Sequence, residues 1–260
     1  MQTDLIGEFR RKIEEGAVLG PFSKTSDPAF IEIMGHAGFD FVIIDLEHGP
    51  NTILNAQNLI RAAECAGLFP IIRAKEDKMS TISEALDIGA GGVLIPKITS
   101  AADALKAMEI AKFAPMGMRG MCRYVRAAKY TGIPGNRYFK DANESVVIFG
   151  VEGTEAIGAL DEILEVEGID IVFIGPFDLS QSVGVPGEID HPKVTKAMES
   201  VVEKCLRKNV HVGTFCETPE AARMWRDTGI KFISYSVDVG LFYGACSDLI
   251  KKLSMGAGRL

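Results

Sequence analysis

The strongest constraint on how this chain folds is a rhythm. Eight short apolar runs, rich in β-branched residues, recur at 18–22, 41–45, 70–73, 92–95, 146–151, 169–174, 210–215 and 232–235. Segments with helical spacing stand between and after them, at 28–37, 54–66, 79–89, 101–113, 155–164, 193–208, 219–228 and 239–253. Strand runs alternating with helical segments are the mark of βαβ units and a parallel sheet. Strands buried on both faces read as near-continuous apolar runs, as in the Phe-Val-Ile-Ile of residues 41–44. Local punctuation agrees: Asp27 precedes Pro28 and Thr218 precedes Pro219, each a capping residue followed by proline at the first helical position. Eight such units predict a (β/α)8 barrel. A doubly wound sheet is the runner-up, but it usually has fewer strands. The opening "MQTDLIGEFRRKIEEG" reads as an extra amphipathic helix ahead of the first strand. It lacks the cationic start, apolar middle and small-residue cleavage site of a secretory signal.

At 260 residues and 47% hydrophobic, the chain has apolar material for one large core, so 1–260 reads as a single barrel domain. One long insertion, 114–143, interrupts the rhythm and contains Arg119, Arg123 and Arg126. Loops of that length inside compact domains are often functional, so it reads as a lid over the site or a contact between subunits. The last residues, "MGAGRL", read as a mobile tail. A net charge of −7 without a long basic run argues against nucleic acid as a partner. No apolar run approaches the ~20 residues that span a bilayer. Five cysteines without a C-x-x-C argue against a disulfide framework and point to a reducing cytoplasm.

In such a barrel, polar residues at the C-terminal ends of strands converge on one mouth. The second strand ends in Asp45, with Glu47, His48 and Asn51 behind it. A histidine beside a carboxylate suits proton transfer near neutral pH, whereas the plainer reading is an N-cap cluster opening the next helix. Arg73 ends the third strand, placed either to stabilise an enolate or carboxylate oxygen or to form a rim ion pair. Glu152 ends the fifth strand and Asp178 follows the sixth. Two carboxylates on adjacent strands can hold one hard divalent cation, with water and substrate oxygens in its other positions. The plainer alternatives are an N-cap for Asp178 and helix-dipole pairing for Glu152. The Gly175-Pro176 turn can present N–H groups to an anion. His36, His191 and His211 sit in a helix, a loop and the start of a strand, and read as structural.

Taken together, "DLEHGP", "DIGAGGVLIP", "MGMRG", "RAAKY", "VEGTEAI" and "VEGIDIVFIGPFDLSQSVG" resemble, in order and spacing, the metal-dependent class II pyruvate aldolases of the HpcH/HpaI group. The resemblance covers nearly the whole chain. It implies a (β/α)8 barrel whose final helix is exchanged between protomers, commonly in a hexamer built from dimers. It implies reversible cleavage of a 4-hydroxy-2-oxo acid to pyruvate and an aldehyde through a metal-bound pyruvate enolate, as in the catabolism of aromatic compounds. By motif, Glu152 and Asp178 would ligate Mg2+ or Mn2+, with Co2+ or Zn2+ as further candidates. His48 would be the acid/base, oriented by Asp45. Arg73 would bind the oxo oxygen, and N–H groups near Gly175, Phe177 and Asp178 the pyruvate carboxylate. Phe215 would face the aldehyde.

Three positions depart from the family pattern. Gly150 stands where glutamine is usual, which removes an amide and opens space. Phe177 stands where alanine is usual, and with Phe215 it either narrows the pocket toward small or apolar acceptors or packs into the core. Lys97 stands where an apolar residue is usual. A Schiff-base aldolase using Lys97 without metal, a non-catalytic oxo-acid binder, and a citrate lyase β-like enzyme acting on a CoA thioester are the alternatives.

Overall fold

The period-two alternation of the strands explains the architecture. In this computed structural model, which describes residues 2–76 and 78–254, odd and even positions of each apolar run serve two different cores. Eight strands form a closed, all-parallel barrel in sequence order: β1 (Val18–Ser23), β2 (Phe41–Asp45), β3 (Phe69–Arg73), β4 (Gly92–Ile95), β5 (Val146–Val151), β6 (Ile171–Ile174), β7 (His211–Cys216) and β8 (Phe232–Val237). In β2, Phe41 and Ile43 fill the barrel, while Val42 and Ile44 face the surrounding helices. The interior alternates large with absent side chains. Phe41 and Phe232 stack at 4.1 Å, and a Cβ on Gly20 would fall 2.0 Å from the Phe41 carbonyl oxygen. Only glycine fits there.

The helices are α1 (Gln2–Glu15), α2 (Pro28–His36), α3 (Ile53–Cys65), α4 (Ser80–Asp87), α5 (Ala101–Ala111), α6 (Gly135–Ala142), α7 (Thr154–Gly158), α8 (Leu160–Ile163), α9 (Pro176–Ser182), α10 (Pro192–Arg207), α11 (Pro219–Asp227) and α12 (Asp238–Ser254). Asp27 and Thr218 cap α2 and α11 through their side chains. The helical pattern at 155–164 is broken into α7 and α8 just after Gly158, a weak helix former. Residues 255–260, read above as a mobile tail, lie outside the described residues.

The extra helix α1 closes the floor of the barrel. Ile6, Phe9 and Ile13 lie on one helical face and join the interior core. Phe9 stacks on Phe69 at 4.2 Å and meets Phe41 and Phe232 edge-on. Polar contacts ring this plug: Arg10 to Asp170 at 2.6 Å, Lys12 to Asp40 at 3.0 Å, and Glu14 to the His211 ring at 3.0 Å.

The insertion 114–143 does not lie over the mouth, which corrects the lid expectation. It joins α5 to β5, so chain direction places it at the N-terminal end of the strands, beside α1. Arg119 is tied to Asp87 at 2.5 Å, and Arg126 to Glu64 and to the Ile88 carbonyl. A cavity of about 620 Å³ between the insertion and the plug is lined by Ile6, Ala90, Arg126, Tyr138 and Ser145. The buried Lys112 ammonium donates to the carbonyls of Asn143 and Ser145 and fastens the insertion's end to the base of β5.

Removing the Phe9 ring, as in Phe9→Ala, opens the stacked floor. The expected loss is about 3–5 kcal/mol of stability, read from urea unfolding as a lower midpoint at unchanged slope. A loss within error of zero would remove α1 from the core.

Candidate active site

The mouth is organised by one ion pair that the strand register dictates. Asp45 and Arg73 are directly paired residues of β2 and β3 and share the inward-facing parity of Phe41 and Phe69. Arg73 donates Nε–H to Asp45 Oδ1 at 2.9 Å and Nη2–H to Oδ2 at 2.7 Å. Asp45 is fully buried, and its Oδ1 also accepts the backbone N–H groups of Glu47 and His48 at 3.0 and 3.2 Å. Burial alone would raise the Asp45 carboxyl. The bonds and charge of Arg73, helped by the two N–H groups, outweigh it and hold the carboxyl below its ordinary range. The Arg73 guanidinium lies 4.7 Å from the centre of the Phe22 ring, and its Nη1 is 3.3 Å from Glu47.

The expected orientation of His48 by Asp45 takes a different form. Asp45 reaches His48 through its main-chain N–H, not its ring. The ring is 60% exposed, and its Nε2 is 4.0 Å from Glu47 Oε2. The spacing D-x-x-H suits a side chain bonding its own turn as well as it suits a carboxylate–imidazole pair, and here the turn wins.

Glu152 follows β5 and keeps the inward parity of Ile148 and Gly150. Asp178 lies in the first turn of α9, and Gly175, not Asp178, is the N-cap. The space beside Gly150 is not open: a Cβ there would stand 3.0 Å from Glu152 Oε1 and 3.1 Å from Pro96 Cα. Gly175 flanks the same carboxylate, its notional Cβ 3.1 Å from Glu152 Cγ. Two glycines thus make the slot for the Glu152 side chain. Burial, then repulsion from Asp178 and Glu47, pushes the Glu152 carboxyl up to about 7, against the pull of Arg73 and Lys97. The segments bearing Glu152 and Asp178 are cross-linked nearby, where Thr154 N–H donates to Ser182 Oγ at 2.9 Å.

Phe215 is half-buried against the interior core, 6.1 Å between ring centres from both Phe22 and Phe177. Phe177 is 41% exposed, so these rings form an apolar wall at the mouth and are not all core packing. Lys97 has a left-handed backbone (φ 51°), and its ammonium is 2.6 Å from Glu76. The bond to Glu76 holds it above the ordinary lysine range despite some burial. A Schiff base needs the neutral amine, so the ion pair argues against Lys97 as nucleophile. His36 ends α2, His191 accepts a cap bond from Lys193 N–H, and His211 pairs with Glu14. None of the three sits in this cluster.

Glu47 was visible in the sequence but given no role. Its side chain is 10% exposed, and burial raises its carboxyl against the pull of Arg73. Among the described residues, no three His, Cys, Asp or Glu side chains form a ready-made metal cage. The chemistry fits a divalent cation held in part by the protein: the half-buried Glu152 is repelled by the exposed Asp178, and Arg73 is already committed to Asp45 and Glu47. Hard cations such as Mg2+ bind through one or two carboxylates and fill their remaining positions with water or substrate oxygens.

The parallel barrel carries its charged side chains at the C-terminal mouth, above a floor closed by α1. A family model described as HpcH/HpaI aldolase/citrate lyase matches residues 19–245. A 2-keto-3-deoxy-L-rhamnonate aldolase of Escherichia coli O17:K52:H18 is 33% identical over 98% of this chain and 96% of its own. The crystal structure of an HpcH/HpaI aldolase/citrate lyase family protein from Burkholderia cenocepacia J2315 superposes with TM-score 0.89 at 30% identity, over 96% of this chain and 99% of its own. That of the citrate synthase SbnG does so with TM-score 0.86 at 28% identity, over 95% and 97%. The chain belongs to the HpcH/HpaI aldolase/citrate lyase family, and it is a class II aldolase.

A carboxyl raised to about 7 must lose its proton before a cation binds. Affinity for Mn2+, measured by calorimetry, is therefore expected to be full above pH 7. Below it, affinity falls by up to about ten-fold per unit as the proton competes for Glu152. Affinity independent of pH between 5.5 and 8 would separate Glu152 from the metal.

Proposed function

We propose that the enzyme reversibly cleaves a 4-hydroxy-2-oxo acid into pyruvate and an aldehyde, with Glu152 and Asp178 as the metal ligands. The observation that carries this reading is a half-buried Glu152 carboxylate, raised in part by its exposed neighbour Asp178 and set near Arg73, with an exposed imidazole on the neighbouring loop. The relative acting on 2-keto-3-deoxy-L-rhamnonate supports it, since a 2-keto-3-deoxy acid is a 4-hydroxy-2-oxo acid. Mg2+ or Mn2+ suits the all-oxygen donor set, and when bound supplies Lewis-acid polarisation of the 2-oxo group. Arg73, held by Asp45 through Nε and Nη2 and by Glu47 at Nη1, presents its guanidinium charge to the oxygen on which enolate charge develops. First-turn N–H groups of α9, at Phe177 and Asp178, lack intrahelical acceptors by position and receive the oxo acid's carboxylate beside Gly175. His48 takes the proton of the C4 hydroxyl. As the C3–C4 bond breaks, its electron pair passes into the enolate and the aldehyde leaves. A proton delivered to C3 then completes pyruvate. The wall of Phe22, Phe177 and Phe215 favours small or apolar aldehydes over long acidic ones.

The same reading extends to assembly. In α12, Phe242, Leu249, Ile250 and Leu253 are each more than half exposed, and Asp238 alone is buried. An apolar helix face of this size calls for a partner, and exchange of α12 between two copies within a hexamer supplies one. Met118, Met121 and Tyr124 of the insertion give a second exposed apolar patch for subunit contact. No helix among the described residues is long and apolar enough to cross a membrane, and the unpaired cysteines suit the cytoplasm.

Three measurements test these assignments. EDTA is expected to abolish cleavage of 4-hydroxy-2-oxo acids, Mg2+ or Mn2+ to restore it, and His48→Ala to stop exchange of pyruvate methyl protons into D2O. Cleavage surviving complete metal removal would reject the mechanism. Leu253→Asp is expected to shift the mass by light scattering toward smaller species, and an unchanged mass would remove α12 from the interface.

A further inference from the structure

The turn from β8 into α12 carries two irregularities. The β1–β8 register shifts between Gly20 and Phe22, and Ser236 adopts a left-handed backbone (φ 59°). A non-glycine residue in that region is strained and persists where surrounding contacts demand it. Here it delivers the first residue of α12, Asp238, into the loop between β1 and α2.

Asp238 is 2% exposed. Its carboxylate accepts Ser23 Oγ–H at 2.9 Å, Lys24 N–H at 3.0 Å, Thr25 N–H at 2.9 Å, Thr25 Oγ1–H at 2.8 Å and Val239 N–H at 2.7 Å. The same short loop is gripped from the other side. Asn51, also 2% exposed, donates Nδ2–H to the carbonyls of Lys24 and Thr25, both at 3.2 Å. From this clamped loop Lys24 Nζ reaches the His48 carbonyl at 3.3 Å and Asp45 Oδ2 at 3.6 Å. Backbone contact is close as well: a Cβ on Gly49 would lie 2.8 Å from the Asp45 carbonyl and 3.6 Å from Lys24 Cα.

The His48 ring is largely exposed and has one distant partner. Its placement is therefore set by the backbone of residues 45–51, and that backbone rests on Lys24 and Asn51. We infer that Asp238 is a positioning residue: through Ser23, Lys24 and Thr25 it sets the placement of the His48 loop, so the seating of α12 governs the proton-transfer geometry at the mouth. Asp238 touches no reacting group. Its effect on turnover rests on the aldolase reading above, but the mechanical coupling does not.

Hydrogen–deuterium exchange of the whole protein, read by mass spectrometry, tests the coupling without reference to activity. Asp238→Asn turns one acceptor oxygen into a donor facing a row of donors. It is expected to speed exchange of the amides of residues 45–52 by about ten-fold or more, with Asp238→Ala larger and Thr25→Val smaller but in the same segment. The paired kinetic readout is expected to show pyruvate methyl exchange slowed about ten-fold at saturation, with KM for pyruvate within about three-fold of the parent. If Asp238→Asn does not fold, Thr25→Val alone decides by the same two readouts. Folded variants with faster exchange confined to residues 238–242, and unchanged exchange at 45–52, would overturn the inference. A wild-type enzyme that exchanges no pyruvate protons would sink the aldolase reading, and the deuterium pattern at 45–52 would still decide the coupling.

Discussion

The mouth depends on the bidentate pair between Asp45 and Arg73. Taking both charges out of water costs several kcal/mol, and the pair is retained only because its geometry satisfies both partners. The β2–β3 register sets the two residues side by side, and their shared parity turns both into the barrel. Two further N–H groups complete the carboxylate. The same side chain therefore orients a guanidinium toward the cavity and shapes the turn carrying Glu47 and His48. A one-residue slip of either strand would send both side chains to the helix side and dissolve the mouth.

Around this fixed pair the charges do not balance. Burial of Glu152 strengthens the repulsion it feels from Asp178 and Glu47, and Arg73, bonded to Asp45 and close to Glu47, offsets it only in part. Repulsion of this kind is stored by the fold and released when positive charge arrives. It is offset elsewhere by the aromatic interior and the plugged floor, which lend rigidity without polar demands. A stable lower half thus supports an upper half arranged for binding.

Much of this was legible in the chain. The strand at 41–45 and the one at 146–151 match their apolar runs, because strands buried on both faces leave an unbroken hydrophobic trace. The parity that sends Asp45 and Arg73 inward follows from counting by twos. An N-cap at Asp178 was the plainer alternative, but α9 starts earlier, with Gly175 as its cap and Pro176 at its first position. Loop length made the 114–143 segment look like a lid, whereas its place between a helix and the following strand already assigned it to the far end. Gly150 looked like added space because a missing side chain was all that the sequence showed, and the carboxylate filling it comes from two residues on. The long-range grip of Asp238 on residues 23–25 joins opposite ends of the chain, and no local pattern announces it.

The floor built by Phe9 has a kinetic corollary. A barrel stoppered at its base has a single doorway, so a reaction that makes two molecules from one must let them out by the same route. The fragment nearer the opening blocks the one lodged beneath it. Departure is then sequential, last in and first out, and the deeper fragment, accumulating in solution, competes with fresh substrate for the emptied enzyme.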